Sequence, residues 1–135
     1  YMPEDRRLIP SLSAEENILL PAWANAIPDA AERLLGIYAQ MPEVQEFRER
    51  RALQLSGGQQ KLVALARAFM TGRKLLLLDE PFEGVAPVLR RRLAEVIGGF
   101  RRQGLSVILS ESDDTHSADL VDLSYRIERG VVTVG

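Results

Sequence analysis

The chain of 135 residues has no cysteine, one histidine and no long hydrophobic run. Without cysteine it holds neither disulfides nor thiolate metal sites, which fits a reducing compartment. No stretch approaches the roughly 18–20 consecutive apolar residues that span a bilayer as a helix. The first residues lack the pattern of a secretory signal peptide. Neither sign of charge dominates: 17 Lys and Arg stand against 19 Asp and Glu, mixed along the chain, so no basic face for nucleic acid is advertised. No glycine is followed by lysine, so the loop G-x-x-x-x-G-K-[ST], which cradles nucleotide phosphates, is missing. The length suffices for one modest domain.

What is present concentrates in two stretches. Leu55-Ser56-Gly57-Gly58-Gln59-Gln60 places a glycine pair between a hydroxyl and an amide, at the start of an apolar-periodic run. Such a pair lets backbone N–H groups approach a ligand oxygen, and a helix N-terminus adds the positive end of a dipole. Downstream, Leu75-Leu76-Leu77-Leu78-Asp79-Glu80-Pro81 puts four leucines before two carboxylates. The leucines read as a buried strand, and acids at its C-terminal end sit where open α/β sheets bind ligands. Together the stretches suggest two pieces of a nucleotide-phosphate machine.

Leu55–Gln60 resembles the signature motif of ABC ATPases, and Leu75–Pro81 resembles their Walker B motif with its following glutamate. Order and spacing make the combination far more specific than a lone Ser-Gly-Gly or Asp-Glu. Tyr1–Pro10 resembles the Q-loop region of the subfamily that energises branched-chain amino-acid uptake, and Ser11–Leu20 continues the match. Pro81–Pro87 resembles that subfamily's D-loop region, usually Glu-Gly-Leu-Ala-Pro, where many other ABC proteins read Ser-x-Leu-Asp. The resemblance implies an α/β fold: the C-terminal part of a P-loop NTPase (RecA-like) ABC ATPase domain with its α-helical subdomain. Residues 1–10 are then the Q-loop region, 11–58 the helical subdomain ending in the signature motif, and 59–135 the second half of the RecA-like core. In this family the phosphate cradle lies upstream of the Q-loop. The expectation is therefore an ATPase domain without its first half, with a protein that truly lacks the cradle as the alternative.

Local patterns support that plan. Ser13 and Glu16 form a capping box, which predicts a helix starting there. Residues 21–54 read as helical, with Pro28 at a first helical position and Ala31, Leu34, Leu35 and Tyr38 on one face. Pro42 restarts the pattern, and Arg48, Arg50 and Arg51 read as a solvated face. A helix from Gly58 or Gln59 aligns Leu62, Leu65, Ala66 and Phe69, with Gly72 as a left-handed cap. The pattern continues with strand 75–78, helix 88–100 and strand 106–109, a parallel βαβ unit. A short helix near 118–121 and a hairpin over 125–134 close the chain.

The resemblance also implies the chemistry. Asp79 holds magnesium through water, and Glu80 is the base or orienter for the attacking water. Ser56, with the N–H groups of Gly57 and Gly58, binds the γ-phosphate of an ATP held by a second ATPase subunit in a head-to-tail dimer, and Gln59 orients that loop. Transmembrane permease subunits receive the motion, and a periplasmic or extracellular solute-binding protein acts indirectly, at the cytoplasmic face of the plasma membrane; no nucleic acid is involved. Two positions depart from the family pattern. Glu4 stands where many relatives have a magnesium-binding glutamine, and glutamate also coordinates magnesium. Ser112 stands where many have the switch histidine, while the only histidine, His116, is expected on the surface beyond it. The functional expectation is an ATP-hydrolysing subunit of an importer for branched-chain amino acids or related solutes. The alternative is a non-transport ABC ATPase acting as a switch on ribosomes or DNA. With Ser56 only 52 positions after Glu4, there is no room for the long coiled coil of the DNA-repair relatives.

Overall fold

Two reciprocal caps set the helical half of the molecule, a computed structural model that describes residues 1–113 and 117–135. Ser13 accepts the Glu16 N–H while the Glu16 carboxylate accepts the Ser13 N–H, and helix α1 runs over Ala14–Ala24. Pro21 lies inside α1, so the Asn17 carbonyl loses its i+4 donor. Helix α2 spans Ala30–Gln40, and α3, Pro42–Glu46, starts on Pro42 at a first-turn position that needs no N–H. Ser56 and Gln59 repeat the reciprocal box, so α4 covers Gly57–Thr71 and begins one residue before the earliest expected start. The fully buried Asn17 satisfies its carboxamide on Ile9 N–H and on the Ile9, Leu12 and Ser13 carbonyls, which pins the loop leading into α1.

Helix α4 is the centre of the core. It buries Leu62–Ala66 and Ala68–Met70 almost all round, against Ala14, Ile18 and Ala22 of α1 and Ile37 and Tyr38 of α2. On α2 the covered stripe is Ala30, Leu34, Ile37 and Tyr38, while Ala31 and Leu35 face solvent. The expected stripe was therefore rotated, because Arg33 is drawn inward to donate to the Phe69 and Gly72 carbonyls, 3.1 and 2.7 Å away. That guanidinium, at the negative end of α4, replaces the expected left-handed glycine cap. Gly72 has φ −67°, and a Cβ there would come within 3.2 Å of the Ala68 carbonyl and 3.3 Å of Leu76. Glycine is needed at 72 for close approach rather than for positive φ.

Strand β1 (Leu75–Asp79) pairs in parallel with β2 (Ser106–Ser110), from Leu75 opposite Ser106 to Asp79 opposite Ser110. Helix α5, Pro87–Arg102, makes the crossover, and its Phe100 stacks on Phe69 of α4 with ring centroids 3.6 Å apart. Arg92 ties α5 to α2 and α3 through the Gln40 carbonyl and the Glu43 carboxylate. On the other edge of β1, Met2 exchanges hydrogen bonds with Leu77 and Asp79 at 2.9 and 3.0 Å. A 3-10 turn, Ala118–Leu120, precedes an antiparallel hairpin of β3 (Tyr125–Glu128) and β4 (Val131–Val134). Its two-residue turn has positive φ at Arg129 and Gly130, as strand twist requires. His116 lies outside the described residues.

The β1 leucines are not all buried. Leu76 and Leu78 point into the core, but Leu75 and Leu77 stay 48% and 42% exposed, beside Ile108 of β2 at 58%. Contiguous exposed apolar surface of this kind marks a contact face or an association hazard. The 135-residue polypeptide is accordingly expected to self-associate, and Leu77→Lys to weaken that association. Sedimentation velocity over a concentration series measures it; a parent chain monomeric throughout would contradict the expectation.

Candidate functional site

The site forms where β1 ends. Parallel register brings Ser110 beside Asp79, and the Ser110 hydroxyl donates to Asp79 Oδ1 at 2.7 Å. From the other flank the Tyr1 hydroxyl donates to Asp79 Oδ2 at 3.1 Å. The two hydroxyls hold the Asp79 carboxylate, a hard oxygen donor, at the C-terminal edge of a sheet. Magnesium is commonly held by one or two carboxylates with waters and phosphate oxygens, so Asp79 fits that role. Among the described residues no cluster of three or more acidic or histidine side chains is assembled to hold a metal alone.

Glu80 follows with φ 46°, a left-handed conformation that costs an L residue on the order of 1–3 kcal/mol and persists only where its surroundings enforce it. The enforcement is visible. Its N–H donates to the Ser110 carbonyl at 3.0 Å, and its carbonyl accepts from Lys61 Nζ at 2.8 Å and from the Glu83 N–H at 3.2 Å. The Ser112 hydroxyl reaches Glu80 Oε2 at 3.5 Å. Glu111 accepts the Phe82 N–H at 3.1 Å, two residues beyond Glu80. Structure thus brings together Asp79, Glu80 and Ser112 of the expected set.

Ser56, Gly57, Gly58 and Gln59 form a separate group at the start of α4. Ser56 and Gly57 are exposed, and no described hydrogen bond or ion pair joins this group to Asp79 or Glu80. As first-turn residues, Gly57 and Gly58 offer N–H groups with no partner inside the helix. The two glycines also sit close to their neighbours: a Cβ at Gly58 would come within 2.9 Å of the Leu89 side chain of α5, and one at Gly57 within 3.3 Å of the Arg6 side chain, so either side chain would have to shift. Glu4 is exposed, and its charge acts on Lys61. The loop after it holds Arg6 and Arg7 at φ 63° and 46°. Arg67 of α4 donates to both of their carbonyls, and Arg6 reaches back to the Gly57 carbonyl at 2.9 Å. Glu4 therefore stands next to a strained turn clamped onto α4.

Sequence reasoning gave no role to Lys61, Tyr1, Ser110 or Glu111. Lys61 had a signal, since it interrupts the apolar surface of α4 one residue before Leu62 and four before Leu65. Ser110 had another: once β1 and β2 are taken as parallel neighbours, the residue ending β2 falls beside Asp79.

A model of the ABC transporter family matches residues 1–83. The chain belongs to the ABC transporter family. It is 35% identical over 133 residues to the high-affinity branched-chain amino acid transport ATP-binding protein BraG of Pseudomonas aeruginosa, covering 98% of this chain and 57% of that protein. It is 34% identical over 131 residues to the thiamine import ATP-binding protein ThiQ of Haemophilus ducreyi, covering 94% of this chain and 61% of that protein. Among solved structures, an ATP-binding cassette of an ABC transporter in its ADP conformation superposes with a TM-score of 0.79 at 25% identity, covering 91% of this chain and 54% of that one. The chain thus spans little more than half the length of these three proteins. The α/β architecture expected of an ABC ATPase is the one observed.

One property of this ABC site is open to titration. Burial and the neighbouring Glu80 carboxylate push Glu111 up to about 7, against the opposing pull of the Phe82 N–H and Lys61. The folded state therefore binds this proton more tightly than the unfolded state. The resulting stabilisation is complete below the ordinary value of 4.5 and is lost as pH rises through about 7. Glu111→Gln is expected to flatten the decline in stability between those values. Melting temperatures of both proteins across this range check it, and parallel curves would count against it.

Proposed function

We propose that the protein carrying this chain is the ATP-binding and ATP-hydrolysing subunit of an ABC importer for branched-chain amino acids or related solutes. The observation that carries this reading is the end of β1, where a strand-terminal Asp79-Glu80 pair is flanked by Ser110 of the parallel neighbour and Ser112 of the segment after it. Asp79 would hold magnesium through water, and that ion, when bound, would supply neutralisation of charge on the transferred phosphate. Glu80 orients the attacking water and takes its proton, and Ser112 steadies the Glu80 carboxylate from the switch position. Glu4 is the second oxygen ligand offered to magnesium.

The exposed start of α4 serves a second ATPase subunit. Its dipole, its free N–H groups and the Ser56 hydroxyl suit a γ-phosphate carried on the opposing chain, with Gln59 holding Ser56 in place. ATP closes such a head-to-tail dimer and hydrolysis releases it, moving permease subunits to which the protein binds peripherally. No helix of the described residues is long and apolar enough to cross a membrane. The binding is placed at the cytoplasmic face, with a solute-binding protein delivering cargo from the far side. The branched-chain assignment is supported by the Glu83-Gly84-Val85-Ala86-Pro87 run and by the name of the BraG relative. Uptake of labelled leucine into vesicles holding the full-length protein with its neighbouring permeases tests the reading. ATP-dependent uptake supports it. ATPase activity stimulated by ribosomes or DNA, without uptake, would overturn it.

A further inference from the structure

Lys61 is 3% exposed, and its ammonium group donates to the Glu80 carbonyl. A buried cation is costly unless paired: burial, then Arg6, lower its pKa, and Glu111, Glu4 and Glu83 only partly oppose that shift. On the far side of the same turn Glu111 holds the Phe82 N–H. The two side chains come from different elements, α4 and the segment after β2, and they grip the left-handed Glu80 turn at two successive points. Packing alone does not call for this arrangement, since an apolar residue would fill the Lys61 position on an otherwise apolar helix at less desolvation cost.

We propose that Lys61 and Glu111 are positioning residues for Glu80, clamping its turn so that the carboxylate is held in line for the attacking water. This rests on the hydrolytic role proposed for Glu80. The clamp acts through hydrogen bonds to the backbone at Glu80 and two residues beyond it. At Glu111 the required feature is the acceptor oxygen for the Phe82 N–H, and not the negative charge. Glutamine supplies that oxygen.

The test uses the full-length protein with Lys61→Met, Glu111→Leu, Glu111→Gln and, as reference, Glu80→Gln. Lys61→Met and Glu111→Leu are expected to lower kcat on the order of 10²-fold while leaving KM for ATP within about twofold, as misplacement of a catalytic group does. Glu111→Gln is expected to keep most of the turnover. Hydrogen exchange at the Phe82 amide, measured without nucleotide, should speed up in Glu111→Leu and not in Glu111→Gln. If Lys61→Met does not fold, the half-buried Glu111 pair carries the test. Parental kcat in folded Lys61→Met and Glu111→Leu, with Glu80→Gln inactive, overturns the clamp alone. Equal damage from Glu111→Gln and Glu111→Leu also overturns it. Normal turnover in Glu80→Gln overturns the site reading beneath it.

Discussion

Glu80→Gln in the full-length protein is expected to lower ATP turnover by about 10²–10⁴-fold, the range a lost general base produces, while ATP binding persists. The substitution keeps the size of the side chain, and its carbonyl oxygen still accepts the Ser112 hydroxyl, which lies 3.5 Å from Glu80 Oε2. The turn is untouched, because its fixed points are the Glu80 N–H and carbonyl and the Phe82 N–H, none of them in the Glu80 side chain. Only the capacity to accept a proton is removed. Bound ATP then has no way out of the closed state, so a nucleotide-loaded dimer should accumulate and survive gel filtration. Steady-state hydrolysis and retained radiolabelled ATP measure the two halves of this expectation. Normal hydrolysis would sink the assignment of Glu80 as base.

Ser56→Arg is expected to abolish hydrolysis as fully, by a different route. Ser56 is exposed and does two things: it caps α4 through Gln59, and it presents its hydroxyl beside the free N–H groups of Gly57 and Gly58. Loss of the cap costs about 1 kcal/mol, which a folded domain of this size tolerates. Loss of the proposed docking surface is expected to be the larger effect, since an arginine would fill the space proposed for the γ-phosphate of an ATP on the opposing chain. The prediction is a protein that melts slightly lower, binds ATP, and neither dimerises on ATP nor turns it over. Light scattering with ATP, beside a melting curve, separates the effects. An ATP-dependent dimer hydrolysing at the parental rate would show that the start of α4 does not meet the nucleotide.

Some expectations held because the forces behind them are local. Ser13 with Glu16 is a reciprocal box three residues apart, and it starts α1 where its spacing says; the box of Ser56 with Gln59, seen only in the structure, starts α4 one residue earlier than expected. The strand–helix–strand run gave a parallel pair, and Arg129-Gly130 gave the tight hairpin. Other expectations failed where two local solutions were equally good. On α2, Ala31–Leu34–Leu35–Tyr38 and Ala30–Leu34–Ile37–Tyr38 are both plausible stripes, and the tie of Arg33 to the end of α4 selects the second. Gly72 read as a left-handed cap because glycine there commonly is one, and the same guanidinium removed the need.

The sequence by itself determined that α1 begins at its capping box, that two strands run parallel around a crossover helix, and that Asp79 and Glu80 stand at a strand's end. Each depends on hydrogen-bonding or periodicity within a few residues. Only the tertiary structure decided that Leu75 and Leu77 face outward, that Glu80 is left-handed, and that Lys61 and Glu111 meet at its turn. Lys61 and Glu80 are 19 residues apart, and Phe82 and Glu111 are 29 apart. Contacts at that range are set by how α4 packs and by the register between β1 and β2, and neither is written in any one stretch of the chain.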